Sequence, residues 1–273
     1  MVIRTSITNL IIVLHKFMGT PQVISKLVLR VRDHHDFNQI TDLGSGSGGP
    51  MPEVIKLISA DNQDHQLKLL LTDLHPNPTF VEDINKRSLA DVSYSSTSVD
   101  ASDIGAAPTG LKTMIASFHH MNPTTAKQIL HSAQTNKQAI LIYEIAKNNI
   151  PFVVWLVLLP LSLVILIIMS LVMTLFVRPL SIGQLLLTYI IPIIPLIYAW
   201  DGQASLMRTY TFDDINSLLD GEQHSGYHWE IDDATNEKGK KMGYYIMGYP
   251  VTCLLYTSPS PRDLSTSRMP SSA

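Results

Sequence analysis

The residues whose types and spacing could do chemistry gather at the ends of four short segments. The first is ITDLGSGSGGP, in which Gly44, Gly46 and Gly48 alternate, Ser45 stands between two of them, and Asp42 lies two positions before Gly44. Glycine admits positive φ and lets a ligand approach the backbone closely. A helix beginning behind such a turn favours anionic groups. Gly44, Gly46 and Gly49 also satisfy G-x-G-x-x-G, the dinucleotide pattern. Asp42 works against that reading, because a carboxylate beside the turn repels a diphosphate and favours a cation. The second segment is TDLHPN, whose Asp73 lies 27 residues after Gly46, in the range where nucleotide-binding folds place an acid on ribose hydroxyls. The third is SVDASDI, with Asp100 and Ala101, and Asp103 as a competing acid. The fourth is ASFHHM, where Phe118, His119 and His120 follow an apolar run. A histidine titrating near neutrality can serve as general base towards a hydroxyl or phenol.

These segments need strands to end where the acids begin. FNQITDLG (residues 37–44) reads as a strand running into the glycine turn, and MPEVIKLIS (51–59) as the helix behind it. QLKLLLTDL (66–74) is a continuous apolar run of strand length, as suits a parallel strand buried on both faces. Residues 82–89 read as helix, 92–100 as a weaker strand, and 111–120 and 137–146 as two more strands, with a helix starting near Pro123 between them. Alternating strands and helices imply a doubly wound α/β sheet. Ahead of it, Ile7, Leu10, Ile11, Leu14 and Met18 recur at helical spacing, and a second helix is expected over 21–33. The apolar run near Arg4 is too short and too polar for a signal peptide.

Hydrophobic residues make up 45 % of the chain, an ordinary share placed unevenly. Between Lys147 and Asp201 lie 53 residues whose single charge is Arg178. Residues 151–177 and 179–200 form charge-free runs of 27 and 22 residues, each long enough for a helix that crosses a bilayer. Pro192 and Pro195 should kink the second run or make it re-entrant. Past Asp201 the polar pattern returns. Residues 209–221 read as a helix with Thr211 as N-cap, and 227–233 and 243–251 as strands joined by a polar loop. The hydrophobic runs thus interrupt the α/β domain between its fifth and sixth strands. Both ends of the resulting hairpin must return to one sheet, and so to one side of any membrane. A hairpin within one leaflet, and a buried lid or dimer interface, are the other placements.

The D-x-G-x-G-x-G arrangement, with its second acid and its strand-end histidines, resembles class I S-adenosylmethionine-dependent methyltransferases, over residues 37–146 and more loosely 227–251. TDLGSGSGGP, TDLHPN, ASFHHM, Arg178-Pro179, TYIIPIIP, Asp201-Gly202 and Arg208-Thr209-Tyr210 further resemble a bacterial subgroup of that family with a hydrophobic hairpin insertion. The resemblance implies a Rossmann-like methyltransferase sheet and S-adenosyl-L-methionine as cofactor. Asp42, Gly44, Ser45, Gly46 and Gly48 would hold its methionine part, Asp73 its ribose, and Asp100 with Ala101 its adenine. Phe118 would line the cofactor site, and His119 or His120 would face the methyl acceptor. A membrane hairpin beside such a site implies a lipophilic small-molecule acceptor, membrane lipid as partner, and a catalytic domain facing the cytoplasm, where the cofactor is. The competing functions are a nicotinamide-dependent oxidoreductase, which Asp42 opposes, and a non-catalytic membrane adaptor on a degenerate cofactor fold. A net charge of −3 points to no nucleic acid, and the lone Cys253 to no disulfide framework or cysteine metal site.

The expected organisation is therefore 1–36, N-terminal helices; 37–150, cofactor-binding core; 151–200, hydrophobic hairpin; and 201–252, a helix and the last two strands. Residues 253–263 (CLLYTSPSPRD) back-translate to a string resembling a transposase adapter used in sequencing libraries, and residues 267–273 (SRMPSSA) fit the other end of that adapter. Residues 253–273 are accordingly read as translated adapter rather than as a Ser/Pro-rich tail.

Overall fold

A computed structural model describes residues 2–61, 67–87, 91–219 and 226–251. The segment expected to be adapter-derived, 253–273, lies outside the described residues, as do parts of two expected helices. Two helices, α1 (Val2–Met18) and α2 (Thr20–His34), precede the sheet. The core then alternates: β1 (Gln39–Leu43), α3 (Met51–Asp61), β2 (Lys68–Thr72), α4 (Pro78–Lys86), β3 (Val92–Tyr94), β4 (Leu111–Ile115), α5 (Pro123–Thr135) and β5 (Ile140–Glu144). The hydrophobic block supplies α6 (Phe152–Thr174), α7 (Ile182–Leu185) and α8 (Ile193–Arg208). The chain then returns through α9 (Phe212–Leu219) to β6 (Tyr227–Thr235) and β7 (Lys241–Pro250).

The seven strands run in the order β3-β2-β1-β4-β5-β7-β6, parallel through β5, with β7 antiparallel to both β5 and β6. This is the dinucleotide-fold order with one antiparallel strand slipped in beside β5. It is the doubly wound methyltransferase-type sheet that the resemblance implies. Alternate residues of the parallel strands point to opposite faces. Leu141 and Tyr143 join α2 and α3 in one apolar layer, and Ile140 and Ile142 join α5 and α9 in the other. Both faces are covered, which is why these strands read as unbroken apolar runs. The strand order reverses between β1 and β4, so the carboxyl ends of these two strands flank the crevice where open α/β sheets bind ligands.

Several elements differ in extent from the sequence reading. The fourth strand stops at Ile115 and not at His120, because Ala116 adopts φ 50° and turns the chain into a short 3-10 segment, Phe118–His120. The weak strand expected over 92–100 shrinks to Val92–Tyr94. The fourth helix begins earlier than expected, at Pro78, where Asn77 accepts a hydrogen bond from Thr79 N at 3.0 Å. The expected cap of α9 is present as a reciprocal pair: Asp214 N donates to Thr211 Oγ1 at 3.1 Å, and Thr211 N donates to Asp214 Oδ2 at 2.8 Å. The first apolar run is one helix. The second is broken at Ile191-Pro192, and its two arms meet at 79°. Pro195 is accommodated in the first turn of α8, where a backbone N–H has no intrahelical acceptor to lose. That helix continues past residue 200 to Arg208, beyond the expected end of the hydrophobic segment.

One glycine sets how closely β1 and β4 approach. Gly110 has φ +136°, and a Cβ built on it would lie 2.2 Å from the Gln39 carbonyl oxygen. Gly110→Ala combines that clash with a strained backbone, so it is expected to cost about 2 kcal/mol or more of stability. A fall in the denaturation midpoint of the purified protein in detergent measures the loss; an unchanged midpoint would refute the tight packing.

Candidate functional site

The glycine turn leaves β1 at Leu43 and is held from below and from both sides. Below it, Asp42 is buried, and its carboxylate accepts from Ser45 Oγ at 2.6 Å and from Thr113 Oγ1 at 2.6 Å. Burial pushes the Asp42 pKa up to about 6, the two hydroxyl hydrogen bonds oppose the rise, and the charge of Asp73 adds to it. Ser45 also ties the turn to β2, its backbone N donating to Thr72 O at 2.8 Å and its Oγ accepting from Thr72 N at 3.2 Å. At the tip, Gly46 N donates to Asp73 Oδ2 at 3.0 Å, and Gly46 O accepts from the Tyr94 hydroxyl at 2.8 Å. The turn is therefore clamped between the ends of β2 and β3.

The glycines of the turn do different work. Gly46 has φ +57°, and a Cβ there would meet nothing within 4 Å, so it faces open space at the crevice. Gly48 faces inward: its Cβ would lie 3.0 Å from Ile84 Cδ1 and 3.3 Å from Leu71 Cδ1. Its missing side chain lets α4 and β2 close on the turn. Gly44 stands against Ser117, with 3.7 Å between its would-be Cβ and Ser117 Oγ. That hydroxyl is buried and has no hydrogen-bond partner among the described residues.

Asp100 and Ala101 are brought to the same edge, because Val99 N donates to Asp73 O at 3.1 Å. Asp100 is exposed, and its Oδ1 accepts from Ser102 Oγ at 2.7 Å and Ser102 N at 2.8 Å, which hold its pKa below the ordinary carboxylate value. Ala101 packs against the second apolar layer. Asp103 is exposed and caps the next short turn without a side-chain hydrogen bond.

Beyond β4, Phe118 is fully buried and packs on Tyr210, ring centroids 5.3 Å apart. The neighbouring histidines do face a cavity. Both oxygens of Glu144, at the end of β5, are engaged by His119: Nδ1 lies 2.8 Å from Oε2, and the backbone N donates to Oε1 at 3.0 Å. Glu144 is 2 % exposed and His119 9 %. His120 is exposed beside it, ring centroids 4.1 Å apart. The covered part of its ring lowers the His120 pKa, and the charges of His119 and Arg208 lower it further.

His119, His120 and Glu144 form the polar end of a cavity of about 270 Å³. Its other walls come from far along the chain: Ile11 and Leu14 of α1, Leu166 and Met169 of α6, and Tyr198, Asp201, Ser205 and Leu206 of α8. Ala116 lines this cavity too, while the next residue, Ser117, stands against Gly44 of the crevice. A two-residue partition thus separates the carboxylate-flanked turn from the acid-held histidine. Sequence reasoning missed Glu144, Tyr94, Thr113 and Ser117. Glu144 carried a signal, as the one charged residue in the apolar stretch ILIYE. Tyr94, Thr113 and Ser117 carried none. Among the described residues, no three His, Cys, Asp or Glu side chains gather in a way that could hold a metal ion.

The sequence matches no protein-family model and no curated protein. Among solved structures it is similar in chain trace to the plantazolicin methyltransferase BamL, crystallised with a triazolic desmethylplantazolicin analogue and SAH (12 % identity, 92 % of this chain and 97 % of that one, TM-score 0.49). It is similar also to a SAM-dependent methyltransferase from Aquifex aeolicus (13 % identity, 83 % and 89 % covered, TM-score 0.45) and to the methyltransferase domain of bacterial CtHen1 (10 % identity, 84 % and 98 % covered, TM-score 0.46).

Proposed function

We propose that this chain is an S-adenosyl-L-methionine-dependent methyltransferase that sits on a membrane through its hydrophobic helices and methylates a lipophilic small molecule. One observation carries the reading: a glycine turn flanked by Asp42 and Asp73 lies one short partition away from a cavity holding a histidine fixed by a buried glutamate. The residues present fit the cofactor. Gly46 opens onto free space, the two carboxylates favour a cation over a diphosphate, and the buried Ser117 hydroxyl beside Gly44 lacks a partner among the described residues. Asp42, Gly44, Ser45, Gly46 and Asp73 would hold the amino-acid and ribose parts, and Asp100 with Ala101 the base. When bound, the cofactor supplies an electrophilic methyl group on a sulfonium.

The chain's own part is alignment, exclusion of water and management of one proton. Glu144 accepts from Nδ1–H of His119, which leaves the Nε2 lone pair as the acceptor the ring can offer. An acceptor hydroxyl placed against that nitrogen would give up its proton to it, and the glutamate would stabilise the resulting imidazolium. His119 is the catalytic base on this reading. Glu144 is a positioning residue, and His120 a rim residue.

The membrane part rests on α6. It has 23 residues, a mean hydropathy of 3.0 over its most apolar stretch, and no buried residue within that stretch. At 1.5 Å per residue it measures about 34 Å, against a hydrocarbon core of about 30 Å. Val153, Val157 and Leu161 stand 60–73 % exposed on it. A patch of this extent would not stay in water. Arg178, at the hairpin tip, folds back to donate to Leu175 O at 3.1 Å and Val177 O at 2.8 Å. Both arms return to the sheet, so the catalytic domain lies on one side, the cytoplasmic side where the cofactor is found.

Calorimetry on the detergent-solubilised protein should show saturable binding of S-adenosylmethionine and no heat with NAD. Gly46→Val or Asp73→Ala should weaken binding about tenfold or more; unchanged affinity in both, or heat with NAD alone, overturns the assignment. Binding should also depend on pH. A cation held near Asp42 stabilises its charged form and draws its pKa down from about 6, so binding releases a proton and affinity rises as pH climbs towards neutrality. Asp42→Asn should flatten that slope. His119→Ala should reduce methyl transfer to a phenolic acceptor by about a hundredfold and leave cofactor affinity intact; transfer at the wild-type rate would remove the histidine from the mechanism. In flotation with phosphatidylglycerol-containing liposomes the protein should rise with the lipid, and Val157→Asp with Ile165→Asp should return it to the soluble fraction. A wild-type protein that stays below the lipid would exclude membrane association.

A further inference from the structure

The hydrophobic helices have an inner face as well as an outer one. Along α6, Leu166 and Met169 line the cavity beside His119, while their neighbours Ile165 and Ile168 are each 54 % exposed on the outside. Along α8, Tyr198 and Asp201 face the cavity while Ile197 and Trp200 are 39 % and 63 % exposed. The wall between the site and the apolar exterior is therefore one helix thick. The cavity, at about 270 Å³, has room for a head group and a few carbons, and a longer chain would continue along the apolar residues that line it.

The charges at the polar end narrow the head group. Among the described residues, the two carboxylic acids lining the cavity are Glu144 and Asp201, and no lysine or arginine lines it. Arg208, close by, lies 3.7 Å from Asp201. A phosphate or carboxylate head would meet the like charge of Glu144 and Asp201, whereas a neutral hydroxyl can donate to the histidine.

We propose that α1, α6 and α8 are the acceptor site itself and not only an anchor: the cavity takes a neutral, hydroxyl-headed amphiphile, its head at His119 and its chain running along the apolar residues of these helices towards the bilayer. This rests on the methyltransferase reading above and adds to it the acceptor's chemical class and its path. It also assigns α1, through Ile11 and Leu14, a place in recognising the acceptor.

The test uses the full chain in detergent, with 4-nonylphenol as probe, compared with phenol, nonanoate and nonyl phosphate, and with S-adenosylmethionine titrated separately. The expected result is saturable binding of 4-nonylphenol, with phenol weaker by about tenfold or more through loss of the buried chain, and both anionic amphiphiles weaker still. Ser205→Phe on α8 and Ile11→Trp on α1 fill the cavity from opposite walls. Each should lower affinity for 4-nonylphenol about tenfold and leave that for S-adenosylmethionine unchanged, which also shows that the variant is folded. Nonyl phosphate binding as tightly as 4-nonylphenol, phenol binding as tightly as its long-chain form, or both filled variants keeping wild-type affinity for the probe would each overturn the proposal. A wild-type protein that binds 4-nonylphenol but no S-adenosylmethionine would instead overturn the methyltransferase reading and leave the cavity assignment standing.

Discussion

A carboxylate buried at the end of β5 organises the candidate site. Glu144 is almost wholly out of water, a placement that costs several kcal/mol unless its oxygens are satisfied. Both are satisfied by one residue, the ring and the backbone N–H of His119. The pair therefore does more than orient an imidazole. It pulls the turn after β4 across the top of β5, and the left-handed Ala116 is the bend that lets the chain get there. Without that bend β4 would run on, His119 would point elsewhere, and no partition would stand between the glycine crevice and the cavity.

The crevice is built on the same economy of partners. Asp42 is buried beneath the turn and keeps two hydroxyl donors, while Asp73 reaches the tip of the turn from β2. Two carboxylates this close repel each other, and burial raises the pKa of the inner one. An arrangement of this kind awaits positive charge. The cavity on the far side of the partition takes the opposite character along most of its wall, because apolar residues of α1, α6 and α8 supply it. Those helices show the same kind of surface outwards, so the fold offers one continuous apolar environment from the exterior to the acid-held histidine.

Much of this was legible in the sequence. The alternation of apolar runs with Gly- and Pro-marked turns prescribes the doubly wound sheet, and the spacing of Asp42, the glycines and Asp73 prescribes a carboxylate-flanked crevice. Local signals also located the break at Pro192 and the cap at Thr211. The errors lie where local pattern and tertiary packing disagree. ASFHH reads as the end of a strand because its apolar residues continue, yet Ala116 turns there. The packing of Phe118 against Tyr210 and the room that the bare Cα of Gly48 leaves for Ile84 and Leu71 are tertiary features with no local signal.

The chain's own order of residues settles which short segments carry acids, glycines and histidines, and which stretches are long and apolar, because propensity, periodicity and charge act over a few neighbouring positions. It does not settle which of these segments meet. His119 and Glu144 are 25 positions apart, and Ile11 and Leu206 are 195 positions apart. Only the closing of β4 onto β5, and of α1 and α8 over their ends, places them around one cavity, since contact between distant residues follows from how layers pack and not from any local preference.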